Sequence, residues 1–184
     1  MSPKDLKTVR FIEKMMNAGV RVFKIEGRAR GPEYVYTVVK CYKEAIQAVV
    51  DGTFTEERKD EWDTRLATVF NRGFWDGYYM GRKMGEWTER YGSQATENKV
   101  YLGLIKNYFN RIAVAEAQIQ TAELLHPGDE IMVIGETTGV YRATVEELRL
   151  ERDPVPEVRQ GDRFSFATTE PLRRGDKIYR IDKV

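Results

Sequence analysis

Apolar residues near the start of the chain recur three or four positions apart, which is the spacing of one helical face. The apolar positions of this face are Leu6, Val9, Ile12, Met15 and Met16. Ser2 is placed to cap such a helix, Pro3 would occupy its first position, and Asp5 would lie near the positive end of its dipole. Because Gly19 favours a helix end, the pattern predicts a first helix between Ser2 and Gly19.

The pattern then changes to an alternation over residues 20–26. Phe23 and Ile25 would share one face of an extended segment, and Lys24 and Glu26 would share the other. The run is rich in β-branched and aromatic residues. It therefore predicts a short, buried parallel strand.

Two further helices follow this segment. Gly31-Pro32-Glu33 opens the first of them and Asp51-Gly52 ends it, while Thr55 is placed to cap the second. Their apolar positions are Val35, Val38, Val39, Tyr42, Ile46 and Val49, and then Trp62, Leu66, Val69 and Phe70. The order helix, strand, helix is typical of α/β folds. A lone parallel strand needs neighbours, so this half of the chain is expected to be incomplete by itself.

The second half has short runs separated by turns, which is typical of an all-β module. Predicted strands cover residues 99–106, 111–118, 130–134, 140–150, 163–167 and 177–181. Three of these strands directly follow a Gly-Asp pair, in which Gly can take a positive φ and Asp can bond nearby backbone. The pattern predicts an α+β protein by content, with a mostly helical domain over residues 1–92 and a small closed antiparallel β-barrel over residues 93–184.

Composition excludes several classes of protein and leaves no global charge to attract a partner. Hydrophobic residues make up 41% and charged residues 32% of the chain, with 30 Lys and Arg against 29 Asp and Glu. This balance excludes a disordered or collagen-like chain, and no apolar run is long enough to span a membrane. No apolar targeting segment follows the first residues, so we expect a cytoplasmic protein without membrane contact.

Cysteine and histidine are too few to build a metal centre. Cys41 and His126 are the single residues of their types, which excludes a Cys and His set for zinc or an iron–sulfur cluster. We expect Cys41 to be a small packed residue and His126 to be a turn residue, and we expect no metal and no cofactor in this chain.

Residues 24–34 form the densest polar stretch of the first half, at the point where the predicted strand ends and a helix begins. In α/β folds this edge binds substrates, and free N–H groups at the helix start attract anions. We predict Lys24, Glu26 and Arg28 as catalytic residues. An equally weighted alternative is a buried Lys24–Glu26 ion pair with a structural role.

Residues 70–81 contain aromatic residues interrupted by three glycines, together with one arginine. Such a stretch can stack bases and bind an anion, or its aromatic side chains can pack at a domain junction. The second interpretation, packing, is favoured two to one. The predicted substrate-binding residues of the two stretches together are Arg30, Glu33, Tyr34, Asn71 and Arg72.

Several strings of the first half together resemble peptidase family U32, the collagenase-like proteins of unassigned mechanism. They are Ser2-Pro3-Lys4-Asp5-Leu6, then Gly19-Val20 followed by Val22-Phe23-Lys24-Ile25-Glu26-Gly27-Arg28, then Pro32-Glu33-Tyr34, Cys41-Tyr42-Lys43-Glu44-Ala45 and Phe70-Asn71-Arg72-Gly73-Phe74. The resemblance implies that residues 1–92 form the last part of a (β/α)-barrel catalytic region. The second half resembles the β-barrel appended in many members, and its Gly-Asp turns resemble the second domain of translation elongation factors.

The resemblance also implies two possible activities. The family carries a peptidase label, and some relatives are implicated in hydroxylating a pyrimidine of tRNA or rRNA, with prephenate as an implied participant in the tRNA case. Some members use an iron–sulfur cluster, whose cysteines are absent here. We expect a fragment of the RNA-hydroxylation branch whose β-barrel binds substrate or a partner, and the alternatives are a true peptidase or an RNA- or protein-binding module without catalysis.

The expected partners follow from these alternatives. They are tRNA, rRNA or a peptide, together with a second copy of the chain or the remaining part of the catalytic barrel. Since a (β/α)-barrel needs eight strands, we expect the chain to have no turnover by itself.

Overall fold

The structure, a computed structural model, describes residues 2–184. The chain divides into two compact units between Thr96 and Glu97, four residues beyond the division expected from the sequence. The first unit is mainly helical and the second is an antiparallel sheet. The protein is therefore α+β.

The first unit contains three helices and one short pair of strands. Its elements are β1 (Asp5–Leu6), a 3-10 turn (Val9–Phe11), α1 (Ile12–Asn17), α2 (Pro32–Val50), α3 (Glu56–Ala67) and β2 (Phe74–Trp75). β1 and β2 pair in parallel, with Asp5 opposite Phe74. Buried residues from the 3-10 turn and the three helices form one core: Val9, Ile12, Val38, Cys41, Ala45, Ala48, Trp62, Leu66 and Val69.

The second and third predicted helices are confirmed. Pro32 occupies the first turn of α2, and the hydroxyl of Thr55 accepts a hydrogen bond from the Arg58 N–H at 3.4 Å at the start of α3. Glu44 on α2 joins the two helices, because its carboxylate accepts hydrogen bonds from Trp62 Nε1 at 3.1 Å and from Arg65. Their amphipathic pattern therefore folds as the sequence predicts.

The predicted first helix is wrong over its first half. Residues 5–7 are extended, since the Asp5 N–H donates to the Gly73 carbonyl at 2.8 Å and the Lys7 N–H donates to the Trp75 carbonyl at 3.0 Å. Pro3 forms a β-bridge with Trp87 instead of starting a helix. Tertiary pairing with a segment some 70 residues away has overridden the local preference for a helix.

The predicted strand over residues 20–26 is also wrong. These residues have no regular secondary structure, and none of the described residues pairs with them as a strand. Phe23 and Ile25 still pack against the core, whereas Val22 is 85% exposed. Because a parallel strand is held by its neighbours, the sequence pattern alone does not produce one here.

The second unit is an eight-stranded antiparallel sheet. Its strands are β3 (Glu97–Phe109), β4 (Val114–Ile119), β5 (Glu130–Gly135), β6 (Gly139–Thr144), β7 (Leu148–Leu150), β8 (Asp153–Val155), β9 (Arg163–Ala167) and β10 (Lys177–Lys183). The order across the sheet is β6-β5-β10-β3-β4-β9-β7-β8. The predicted strand over residues 140–150 is divided into β6 and β7, and β8 was not predicted. Closure of this sheet into a barrel stays a prediction.

The three Gly-Asp pairs all form the same turn. Gly128, Gly161 and Gly175 have φ values of 95°, 92° and 94°. In each turn the Asp carboxylate accepts a hydrogen bond from the N–H three residues earlier: His126 at 2.8 Å, Arg159 at 3.0 Å and Arg173 at 2.8 Å. The turn role predicted for these pairs and for His126 is confirmed. Among residues 2–184, no helix is long and apolar enough to cross a membrane.

Candidate functional site

The first unit contains a pocket of about 660 Å³. It lies between β1, α2, the end of α3, β2 and the irregular segment that follows α1. Six of the eight site residues predicted from the sequence line it: Lys24, Glu26, Arg28, Arg30, Tyr34 and Arg72. The structure thus brings together the two polar stretches that the sequence singled out.

Asp5 organises one wall of this pocket. Its carboxylate accepts hydrogen bonds from the Arg72 backbone N–H at 2.9 Å and from the Arg72 guanidinium at 2.8 Å. A guanidinium nitrogen of Arg30 lies 3.9 Å from the same carboxylate. The Asp5 carboxylate therefore positions Arg30 and Arg72, which come from segments far apart in sequence.

Arg30 is also held by aromatic rings. Its guanidinium carbon lies 3.9 Å from the centre of the Phe70 ring and 5.6 Å from that of Tyr34. Burial, with the nearby Asp5 carboxylate, raises the pKa of Tyr34. Tyr34 is therefore a neutral phenol at ordinary pH and can donate a hydrogen bond to a ligand.

Lys24, Glu26 and Arg28 lie at the exposed edge of the pocket. Glu26 accepts hydrogen bonds from the Arg28 N–H at 2.8 Å and from the Arg28 guanidinium at 3.1 Å. The Arg28 guanidinium lowers the pKa of Glu26 to about 2. The alternative of a buried Lys24–Glu26 ion pair is wrong, because both residues are exposed and the close cation partner of Glu26 is Arg28.

Glu33 and Asn71 do not line the pocket. Asn71 is buried, and its amide donates to the Val69 carbonyl at 3.0 Å and accepts from the Gly73 N–H at 3.1 Å. It shapes the chain between α3 and β2. The Glu33 carboxylate lies against Gly31, where a Cβ atom would come within 2.3 Å of it. This position, in the first turn of α2, suits an acidic residue near a helix N-terminus.

Asp5, Lys4, Lys7, Thr8 and Tyr42 are pocket residues that sequence reasoning missed. The Tyr42 hydroxyl accepts a hydrogen bond from the Thr8 N–H at 2.9 Å, which ties the end of β1 to α2. These residues fall in the predicted first helix and on α2, where polar side chains are ordinary. Their proximity depends on the β1–β2 pairing, for which the sequence carries no local signal.

The pocket combines excess positive charge with aromatic walls. Six of its lining residues are cationic, Lys4, Lys7, Lys24, Arg28, Arg30 and Arg72, and two are acidic, Asp5 and Glu26. Its aromatic residues are Phe23, Tyr34, Tyr42, Phe70, Phe74 and Tyr79. Such a lining suits an anion that carries a flat ring.

The described residues contain no cluster of three or more His, Cys, Asp or Glu that could hold a metal ion. Cys41 is fully buried in the core, and burial raises the pKa of its thiol to about 11. A thiol with so high a pKa is a poor nucleophile. Cys41 is thus a packed residue, as predicted.

Comparison with known proteins assigns the family. Residues 1–89 match the model of peptidase family U32. The whole chain also aligns with a collagenase of Porphyromonas gingivalis (strain ATCC BAA-308 / W83), at 61% identity over 183 residues. The chain belongs to peptidase family U32. This U32 chain covers 44% of the length of that collagenase.

Two other U32 relatives have different names. An uncharacterized protease of Methanocaldococcus jannaschii is 31% identical over 184 residues, which are 98% of this chain and 44% of that protein. The tRNA hydroxylation protein P1 of Bacillus subtilis is 30% identical over 149 residues, which are 80% of this chain and 35% of that protein. The chain thus spans less than half the length of these relatives, and their names do not agree on one activity.

Proposed function

We propose that this U32 chain supplies the anion-binding part of an enzyme that hydroxylates a pyrimidine of tRNA or rRNA. The observation that carries the proposal is the pocket of the first unit, with six cations against two carboxylates and six aromatic residues. A nucleotide offers both a phosphate and a flat base. Collagen segments, rich in Gly and Pro, offer neither.

Each pocket residue has a role in this proposal. Arg30, held between Asp5 and Phe70, and the neutral phenol of Tyr34 bind the substrate from the inner wall. Lys24 and Arg28 grip an anionic group at the exposed edge, and Arg28 can do so with two parallel N–H donors. Glu26 is charged at neutral pH, so it orients Arg28 and does not act as a general acid.

The architecture of the intact protein belongs to the same proposal. Residues 2–96 would complete a (β/α)-barrel whose other strands cover the pocket, and the sheet of residues 97–184 would close as a small β-barrel that binds substrate. The resemblance of these residues to the second domain of translation elongation factors supports the closed β-barrel. An enzyme acting on tRNA or rRNA would work in the cytoplasm.

The test measures hydroxylated pyrimidine nucleosides in total RNA by mass spectrometry, with variants of the full-length protein in its source organism. We expect Arg28→Lys and Lys24→Ala to reduce the product at least tenfold with unchanged melting temperature, since an ammonium cannot reproduce the planar fork of Arg28. Lys43→Ala is the matched control, because Lys43 is exposed on α2 and outside the pocket. Wild-type levels of product in both pocket variants would remove these residues from the site.

A peptidase is the second candidate, and the 61% identity to a protein named collagenase favours it. The same full-length variants can be incubated with denatured collagen and with casein. Cleavage that is lost in Arg28→Lys but kept in Lys43→Ala, with RNA hydroxylation unaffected, would establish the peptidase and exclude the RNA enzyme.

A further inference from the structure

The second unit carries a groove of about 760 Å³ on its sheet. We call it the basic groove, because four of its ten lining residues are cations and one is acidic. The cations are Lys106, Arg163, Arg173 and Arg174, and the acid is Glu116. The other residues are Asn107, Tyr108, Asn110, Pro171 and Leu172.

Separate elements of the fold bring these four cations to one groove. Lys106 is the extra residue of a β-bulge in β3, since Ile105 pairs with Ala117 and Asn107 pairs with Glu116, which leaves Lys106 without a partner in the register. A bulge redirects a side chain out of the regular alternation of a strand. Arg163 begins β9, which pairs with β4. The basic groove thus draws on three adjacent strands.

The remaining two cations come from the third Gly-Asp turn. The Arg173 N–H donates to the Asp176 carboxylate at 2.8 Å, and Asp176 is itself buried. This bond fixes the backbone of the turn and leaves the side chains of Arg173 and Arg174 exposed. The two arginines are therefore presented from a rigid support.

The charges of the basic groove are not neutralised within the described part of the chain. None of its four cations forms an ion pair with a described residue, whereas Arg142, Arg149 and Arg180 of the same unit all do. The unit as a whole has 13 Lys and Arg against 15 Asp and Glu. The concentration of cations is therefore local, in a unit whose formal charge is negative, and it indicates an anionic ligand.

We propose that the basic groove binds the phosphate backbone of a folded RNA. Four cations on two strands and one turn match successive phosphates, and the amides of Asn107 and Asn110 suit sugar and phosphate oxygens. A concave, polar groove fits a rounded nucleic-acid backbone better than a flat anionic membrane. The choice of RNA rests on the proposed function, but the binding itself does not depend on chemistry in the first unit.

The test measures binding of labelled, unfractionated tRNA to the 184-residue chain by fluorescence anisotropy at several salt concentrations. With about 0.9 released counterions per phosphate contact, removing two contacts should weaken binding about 60-fold at about 0.1 M salt and reduce the salt slope by about 2. We expect this for Arg173→Ala combined with Arg174→Ala. The charge-matched control is Arg152→Ala with Arg159→Ala, at residues outside the basic groove, which should bind like the wild type.

The binding measurements decide between the possibilities. Selective loss of tRNA binding in the groove variant, with an unchanged melting temperature, supports the proposal. The proposal is overturned if both variants lose tRNA binding equally, or if the groove variant binds tRNA as tightly as the wild type. It is also overturned if the wild-type chain binds phosphatidylserine vesicles but not tRNA. Loss of RNA hydroxylation in the pocket variants together with wild-type tRNA binding by the groove variant would remove this inference and leave the proposed function in place. If tRNA binding depends on the basic groove but the full-length protein hydroxylates no RNA, the proposed function falls and this inference stays.

Discussion

Replacing Asp176 with alanine should be the most costly change among the three Gly-Asp turns. Asp176 is only 6% exposed, and its carboxylate accepts hydrogen bonds from the Thr138 hydroxyl at 2.5 Å and from the Arg173 N–H at 2.8 Å. It also fills the space beside Gly135, where a Cβ atom would come within 1.9 Å of it. The carboxylate therefore ties the turn before β10 to the turn between β5 and β6.

The expected cost follows from these two bonds. A hydrogen bond to a charged group contributes roughly 1.5–3 kcal/mol, and a buried donor left without a partner costs a similar amount. We expect Asp176→Ala to lower the free energy of unfolding by about 3 kcal/mol. The corresponding change at Asp162 should cost about 1 kcal/mol, because its single bond, from the Arg159 N–H at 3.0 Å, lies at the surface where water can replace it.

Urea unfolding of the whole chain, followed through the amide NMR signals of β5 and β10, measures both values. Asp162→Ala serves as the control for the loss of a turn bond alone. Equal destabilisation by the two substitutions, or a loss below about 1 kcal/mol for Asp176→Ala, would refute the assignment of Asp176 as a link between two turns.

Three other predictions concern single residues. The Cys41 thiol, with its pKa raised to about 11 by burial, should react with iodoacetamide at pH 8 at least a hundredfold more slowly in the native chain than in urea, and equal rates would contradict its burial. The carboxyl carbon of Glu26 should titrate in NMR near pH 2, and the midpoint should rise toward 4.5 in Arg28→Ala; because the folded pKa is depressed, the contribution of this pair to stability is present above pH 4.5 and is lost as the pH falls through about 2. Gly103→Ala should destabilise the sheet by at least about 2 kcal/mol, since its Cβ would lie 1.9 Å from the Gln118 carbonyl oxygen, and calorimetry showing an unchanged melting temperature would contradict that close approach.

The elements that the sequence predicts correctly are those whose stability is local. One helix begins at its own proline, Pro32, and the other is capped by Thr55. Both have apolar faces, and both form as predicted. The Gly-Asp turns are local in the same sense, since each hydrogen bond spans three residues. Periodicity and turn chemistry suffice for such elements.

The failures occur where partners distant in sequence decide the structure. Residues 5–7 have a helical pattern but pair with residues 73–75. The segment over residues 20–26 has a strand pattern but no strand beside it within the described chain. For the pocket, sequence reasoning found Arg30 and Arg72 as polar residues in two separate stretches, but it could not find Asp5, which joins them.

The two-residue parallel ladder between β1 and β2 has a kinetic consequence for the pocket. Asp5 and Arg72 are 67 positions apart in the chain, so their contact closes a loop that contains all three helices. The entropy lost on closing so long a loop exceeds the stabilisation from two short strands until the helices have already packed. The pocket wall should therefore be the last part of the first unit to form during folding. For the same reason, the Asp5 and Lys7 amides should exchange with solvent by local opening, well before the helical core unfolds.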